Sequence, residues 1–224
     1  MNNKINIWDD FCSIHKIIEQ GVPLFDEVNG IVKTFKYGKN QRNILKRSSQ
    51  MDSLIIEEVE KVVSDYNQKT EKYDGLIYIM FWKEDSKVIP LYIGKSEKYG
   101  KNGGNLSQNI KNIRGNQANF CRWGNNYAYH IGDLSAVVCK EHPTNKMTKK
   151  YRKWADMLFK EFPSEVPRLK KETYFWIKAW SKDDIGVWKE FGNTSLTFLE
   201  YLLIGLASDI YPEFLLNEEG VNRK

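Results

Sequence analysis

Gly75-Leu76-Ile77-Tyr78-Ile79-Met80, then a polar break, then Leu91-Tyr92-Ile93-Gly94-Lys95, is the stretch that decides the fold. Each half sets a tyrosine among apolar residues that favour extended backbone. Between them, Lys83-Glu84-Asp85-Ser86-Lys87 reads as a turn, so the two halves form a hairpin. A hairpin puts both phenols in one region of a sheet, with Lys95 close in sequence. Two hydroxyls and a cation in so small a space suggest phosphate chemistry. For Lys95 to act on Tyr92 the strand must end at Gly94, because residues i and i+3 of a regular strand face opposite sides.

Working outward, residues 5–20 carry Ile5, Trp8, Phe11, Ile14, Ile17 and Ile18 at helical spacing. A second helix is expected over about 53–67, with Leu54, Ile55, Val59, Val62 and Val63 on one side. Between these two lies a mixed segment, residues 22–48, with Lys33, Lys36, Lys39, Arg42, Lys46 and Arg47 around Tyr37. After Gly94 comes a Gly/Asn-rich loop, residues 98–105. Residues 106–123 are predicted helical despite Gly115, and 127–138 a third strand. A basic helix is expected over 147–162, ended by Pro163 and Pro167. An aromatic strand follows over 172–180. The last helix, 195–210, is capped by Thr194 or Ser195 and stopped by Pro212. The whole is an α+β chain.

The 224 residues suffice for one substantial domain with an extension. Apolar content of 41% permits a real core and argues against global disorder. The net charge of +5 is compatible with nucleic acid without demanding it. Cys12, Cys121 and Cys139 form no CxxC pair, so neither a disulfide framework nor a zinc site is expected. Residues 1–10 lack the apolar stretch of a signal peptide, and 196–210 is short for a membrane span. No membrane association is expected, and a reducing cytoplasmic setting is.

Glu200 stands out for a physical reason. Its neighbours Phe198, Leu199, Leu202, Leu203 and Ile204 leave the helix little polar face. A carboxylate in such a setting needs a partner. By contrast, Gly94-Lys95-Ser96 is not a P-loop, because that motif wants glycine where Ile89 stands.

Leu76-Ile77-Tyr78 with Tyr92-Ile93-Gly94, followed by Glu200, Pro212 and Asn217 in that order, resembles the GIY-YIG nucleases over residues 74–218. The second half matches the family's motif letter for letter; the first has Leu76 where glycine is usual. The resemblance implies a small antiparallel β-sheet flanked by helices, with a helical N-terminal extension over 1–73 and a central insertion at about 140–192. It implies a catalytic set of Tyr78, Tyr92, Lys95, Glu200 and Asn217 with an arginine. That arginine is Arg122, beside Trp123, or else Arg114. Asn126 occupies the place of a usual histidine or tyrosine, leaving Tyr127 or His130 as the general-base partner.

One Mg²⁺ per active site, held by Glu200, is implied as cofactor. The expected partner is double-stranded DNA, contacted through Lys39, Arg42, Lys46, Arg47 and Arg114. The extension and insertion within one chain resemble type II restriction endonucleases. That implies a homodimer on a palindromic site and a cognate DNA methyltransferase acting on the same site. Two other readings are a structure-specific or mobile-element nuclease, and a catalytically silent DNA-binding module.

Overall fold

The computed structural model describes residues 2–188 and 192–221. The expected insertion therefore includes 189–191, which lie outside the described residues. The chain forms an α+β structure in two compact units, each assembled from separated segments. The first comprises Met1–Val22, Glu57–Ser107 and Tyr174–Lys224; the second comprises Pro23–Ile56 and Gln108–Thr173. Residues 2–22 share a unit with the hairpin.

The first unit is built on a four-stranded antiparallel sheet. The strands β1 (Val22–Pro23), β6 (Tyr73–Glu84), β7 (Lys87–Glu97) and β8 (Tyr174–Ser181) lie in the order β1-β8-β6-β7. The hairpin β6–β7 is longer than its sequence signal, because only Asp85 and Ser86 form the turn. Both have positive φ, 43° and 66°, which matches the right-handed twist of the strands it joins. Pro90 is accommodated because β7 is an edge strand.

One face of the sheet presents Ile77, Ile79, Phe81, Ile93, Trp176 and Trp180. It is covered by α1 (Asn2–Ile14), α2 (Ile17–Gln20) and α6 (Leu196–Ile210), through Trp8, Phe11, Ile17, Leu199, Leu203 and Ala207. The expected single helix over 5–20 breaks at Lys16, which takes the left-handed conformation at φ 50°. The break lets Phe11 and Ile17 both enter the core, which one continuous helix would not achieve at a spacing of six. On the other face, Tyr78 stacks on Phe175. Helix α3 (Ser49–Gln68) runs through the boundary of the two units; from its first-unit part, Glu58 accepts the Ala179 N–H at 2.7 Å.

The second unit holds two small hairpins, β2 (Glu27–Val28) with β3 (Ile31–Val32) and β4 (Thr34–Tyr37) with β5 (Arg42–Leu45). Beside these are α4 (His130–Val138) and α5 (Lys149–Leu158). Two expectations fail here. Residues 106–123 are turns closed by a 3₁₀ turn at Phe120–Arg122, not a helix. Asparagine side chains compete for the backbone. Asn116 Nδ2 donates to the Gln108 and Lys111 carbonyls, and its Oδ1 accepts the Asn119 N–H. Residues 130–138 are a helix, not a strand. Every residue of α4 is buried, so no polar face marks a 3.6-residue period.

No helix among the described residues is long and apolar enough to cross a membrane.

Candidate active site

Edge strands carry unpaired backbone groups, and β7 is no exception. Along its open edge the groups of Leu91, Ile93 and Lys95 point away from β6. Each is met by a residue from the C-terminal segment. The Leu91 carbonyl accepts the Leu216 N–H at 2.7 Å. Asn217 acts as a one-residue substitute strand. Its Oδ1 accepts the Ile93 N–H at 3.0 Å and its Nδ2 donates to the Ile93 carbonyl at 2.8 Å. The Lys95 N–H is taken by the carboxylate of Glu200, from α6. Asn217 and Glu200 are thus placed two residues apart on one strand edge, although seventeen apart in sequence.

The tyrosines approach the same stretch from one face. Tyr78 pairs with Gly94 and Met80 with Tyr92, so both phenols project to one side, their ring centroids 6.4 Å apart. The outer end of the Tyr78 ring lies over Gly94. A Cβ at Gly94 would come within 2.7 Å of that ring and 2.8 Å of its hydroxyl. Glycine in this motif is therefore a matter of space, not of φ. Gly94→Ala is expected to push the Tyr78 ring aside and cost about 1–3 kcal/mol, the usual range for overpacking. Urea unfolding measures it; an unchanged midpoint would mean that the ring does not rest there.

Lys95 differs from its expected placement. β7 continues through Gly94 to Glu97, so Lys95 faces away from Tyr92 and does not serve as the cation beside the phenols. Its ammonium instead contacts Glu97 and donates to Thr197 Oγ1 at 2.8 Å. Its charge acts on Glu200. Burial pushes the Glu200 carboxyl above the ordinary carboxylate value. Lys95, through its charge and its backbone N–H, partly offsets this, while Glu97 and Glu219 reinforce it. Sequence reading missed Glu97 and Thr197; a Lys-x-Glu pair on one strand face is the signal that could have found the first.

Among the described residues, no three His, Cys, Asp or Glu side chains gather as a metal cage. Glu200 nonetheless suits a cation that takes one carboxylate and completes its shell with phosphate and water. It is half-buried, its ionised form is disfavoured, and two further carboxylates add negative potential.

The remaining expected residues belong to the second unit. Arg122 is half-buried, with φ 72°, and its guanidinium lies 5.6 Å from the centre of the Tyr129 ring. Arg114 is exposed. Tyr127 is held in a relay: His142 Nε2 donates to the Asn43 carbonyl at 2.8 Å, which leaves Nδ1 to accept from the Tyr127 hydroxyl at 3.1 Å. His130 is buried among Trp123, Tyr151 and Trp154, with Nδ1 2.8 Å from the Tyr151 hydroxyl. Burial drives its pKa well down, so it stays neutral in an aromatic core and is not a solvent-facing base.

The expected phosphate contacts divide in the same way. Lys39 is exposed at the β4–β5 turn. Arg42 lies on the Tyr127 ring at 4.3 Å and donates to the Asn125 carbonyl at 2.9 Å. Lys46 is paired with Asp26 at 2.8 Å. Arg47 is not a surface contact at all. It is buried, donating to Asp52, to the Trp123 carbonyl, to Asn125 and to Gln117, with its guanidinium over the Phe120 ring. A guanidinium so engaged has no face to offer a phosphate, and its role is structural.

Comparison with family models, with curated proteins and with solved structures returns no match for this chain.

Proposed function

We propose that the chain is a Mg²⁺-dependent DNA endonuclease of the GIY-YIG type, acting as a type II restriction enzyme on a short duplex site. The observation that carries this is the gathering of four motif residues on one short stretch of strand. Tyr78 and Tyr92 occupy one face around Gly94, while Glu200 and Asn217 meet the open edge at Lys95 and Ile93. Random placement of a Tyr-Ile-Gly tripeptide and a distant Glu and Asn gives no reason for such a convergence.

Hydrolysis forms a bond from a water oxygen to phosphorus and breaks the bond from phosphorus to the 3′ oxygen; one proton leaves the water and one reaches the leaving oxygen. The hydroxyls of Tyr78, which is buried, and of Tyr92, half-buried on the same face, are proposed to orient the attacking water by hydrogen bonds, its proton passing to solvent. Lys95, the cation expected to make a phenol a base, lies on the opposite face. Asn217 is a positioning residue that fixes the strand edge facing Glu200. Glu200 would hold the Mg²⁺. When bound, that ion neutralises charge developing on the leaving oxygen. Binding of the scissile phosphate is assigned to an arginine, Arg122 or Arg114, on the resemblance alone. With one such site per chain, cutting both strands calls for a homodimer on a palindromic sequence, with a methyltransferase protecting the same site.

Incubation with plasmid DNA and Mg²⁺ tests the reading. Discrete fragments of constant size are expected. Preference for branched substrates would replace the restriction role with a structure-specific one. Binding with no cutting of any DNA would leave only a binding module.

A further inference from the structure

The two units carry opposite charge. The second unit has nineteen lysines and arginines against nine aspartates and glutamates, a formal +10. The first has fifteen against twenty, a formal −5. The modest +5 of the whole chain hides this separation. The acidic groups of the second unit quench part of its surface: Glu141 pairs with Lys36 and Glu165 with Lys140, and Asp156, Glu161 and Glu172 are exposed. Asp26 is taken by Lys33 and Lys46, Asp52 by Arg47, and Asp133 is buried, accepting the Ala128 N–H.

The excess is concentrated around α5. Lys146, Lys149, Lys150, Arg152 and Lys153 fall within eight residues, and the first turn of the helix holds no acidic residue. The helix is anchored by Tyr151, Trp154, Ala155 and Leu158, which are buried, leaving Lys149, Arg152 and Lys153 on the exposed side with one carboxylate, Asp156. The segment leading into α5 is fastened to the β4–β5 hairpin. His142 donates to the Asn43 carbonyl, and Arg42 and Lys146 both lie against the Tyr127 ring, at 4.3 and 5.2 Å. The hairpin, with Lys39 exposed at its turn, and the basic helix are thereby linked within one unit. So many like charges repel one another and lower stability, which a polyanion would reverse.

We infer that the second unit is the DNA-holding unit of this protein, and that it grips the phosphate backbone of a duplex through the exposed face of α5 and the β4–β5 hairpin. The inference rests on the endonuclease reading for the choice of DNA, and on the charge separation for the surface. A helix such as α5 is about 10–12 Å across with its side chains, which the major groove, about 12 Å wide, admits. The exposed face of α5 has no apolar side chain to enter a lipid surface, so a duplex fits better than a membrane.

The test is equilibrium binding of the full chain to a short labelled mixed-sequence duplex without divalent cations, over a series of salt concentrations. Cleavage plays no part in it, so failure of the nuclease reading leaves the result interpretable. Wild type is expected to bind with log K falling linearly against log salt. The triple variant K39A/K149A/R152A should bind at least about tenfold more weakly, with the slope reduced by about 2.7, as three lost phosphate contacts require. The matched control K87A/K101A/K182A, all exposed lysines of the first unit, should stay within about twofold of wild type. Thermal melts confirm that both variants fold. Equal weakening by the two triples, no weakening by either, or binding to phosphatidylserine vesicles as tight as to DNA would overturn the inference.

Discussion

Arg47→Ala is expected to destabilise the protein by about 3–4 kcal/mol, near the top of the range for a single substitution. The side chain is 4% exposed and spends its Nε and both Nη atoms inside the protein. Removal leaves the buried Trp123 carbonyl and Asn125 without this donor, and unpaired buried polar groups cost about 1–3 kcal/mol each; Gln117 is exposed and can turn to water. Asp52 is partly exposed and can turn to water, which keeps the loss from growing further. Lysine cannot reproduce the planar fork, so Arg47→Lys should recover only part of the stability. Arg42→Ala, at a half-exposed position, should cost about 1 kcal/mol. Urea unfolding followed by circular dichroism measures all three. A stable Arg47→Ala protein with weakened DNA binding would return Arg47 to the phosphate contacts.

Arg47 also shows where sequence reading loses its grip. In sequence it is one more member of a basic run from Lys33, and nothing local separates it from Lys39. Its partners Gln117, Trp123 and Asn125 lie some seventy residues away, in a segment whose turns were themselves hidden by asparagine side chains taking backbone bonds. The same distance conceals the second unit, which joins 23–56 to 108–173. The β6–β7 hairpin and α6 were legible because their own residues specify them. In the hairpin, β-favouring runs flank a turn; in α6, a long apolar run ends before Pro212. Helix α4 was not, since burial on all sides erases the periodicity that tells helix from strand.

The candidate site divides along the same line. Tyr78, Tyr92, Glu200 and Asn217 were readable as a set through the motif order. The direction of Lys95 was not, because it depends on β7 continuing beyond Gly94. Only the register places its ammonium beside Thr197 and Glu97.

Glu200→Gln carries the second large effect. The carboxamide keeps the shape and can still accept the Lys95 N–H, but it is a poor ligand for a hard dication. Loss of about 4 kcal/mol of transition-state stabilisation corresponds to about 10³-fold in kcat. Stability should move the opposite way. Burial raises the folded pKa of Glu200, so the folded chain holds that proton more tightly than the unfolded chain does. Stability is therefore lost as pH rises from the ordinary carboxylate value through the raised one. At neutral pH, without divalent cation, Glu200→Gln should melt at a higher temperature than wild type. The difference should vanish in acid, where Glu200 is protonated, and Mg²⁺ should raise the melting temperature of wild type alone.

The most direct measurement is Mg²⁺-dependent cleavage of supercoiled plasmid by wild type and by Glu200→Gln, with duplex binding followed in parallel. Cleavage by wild type that falls about 10³-fold in the variant, with binding unchanged, is the expected result. Cleavage that survives in Glu200→Gln at the wild-type rate would contradict a phosphodiesterase site centred on Glu200.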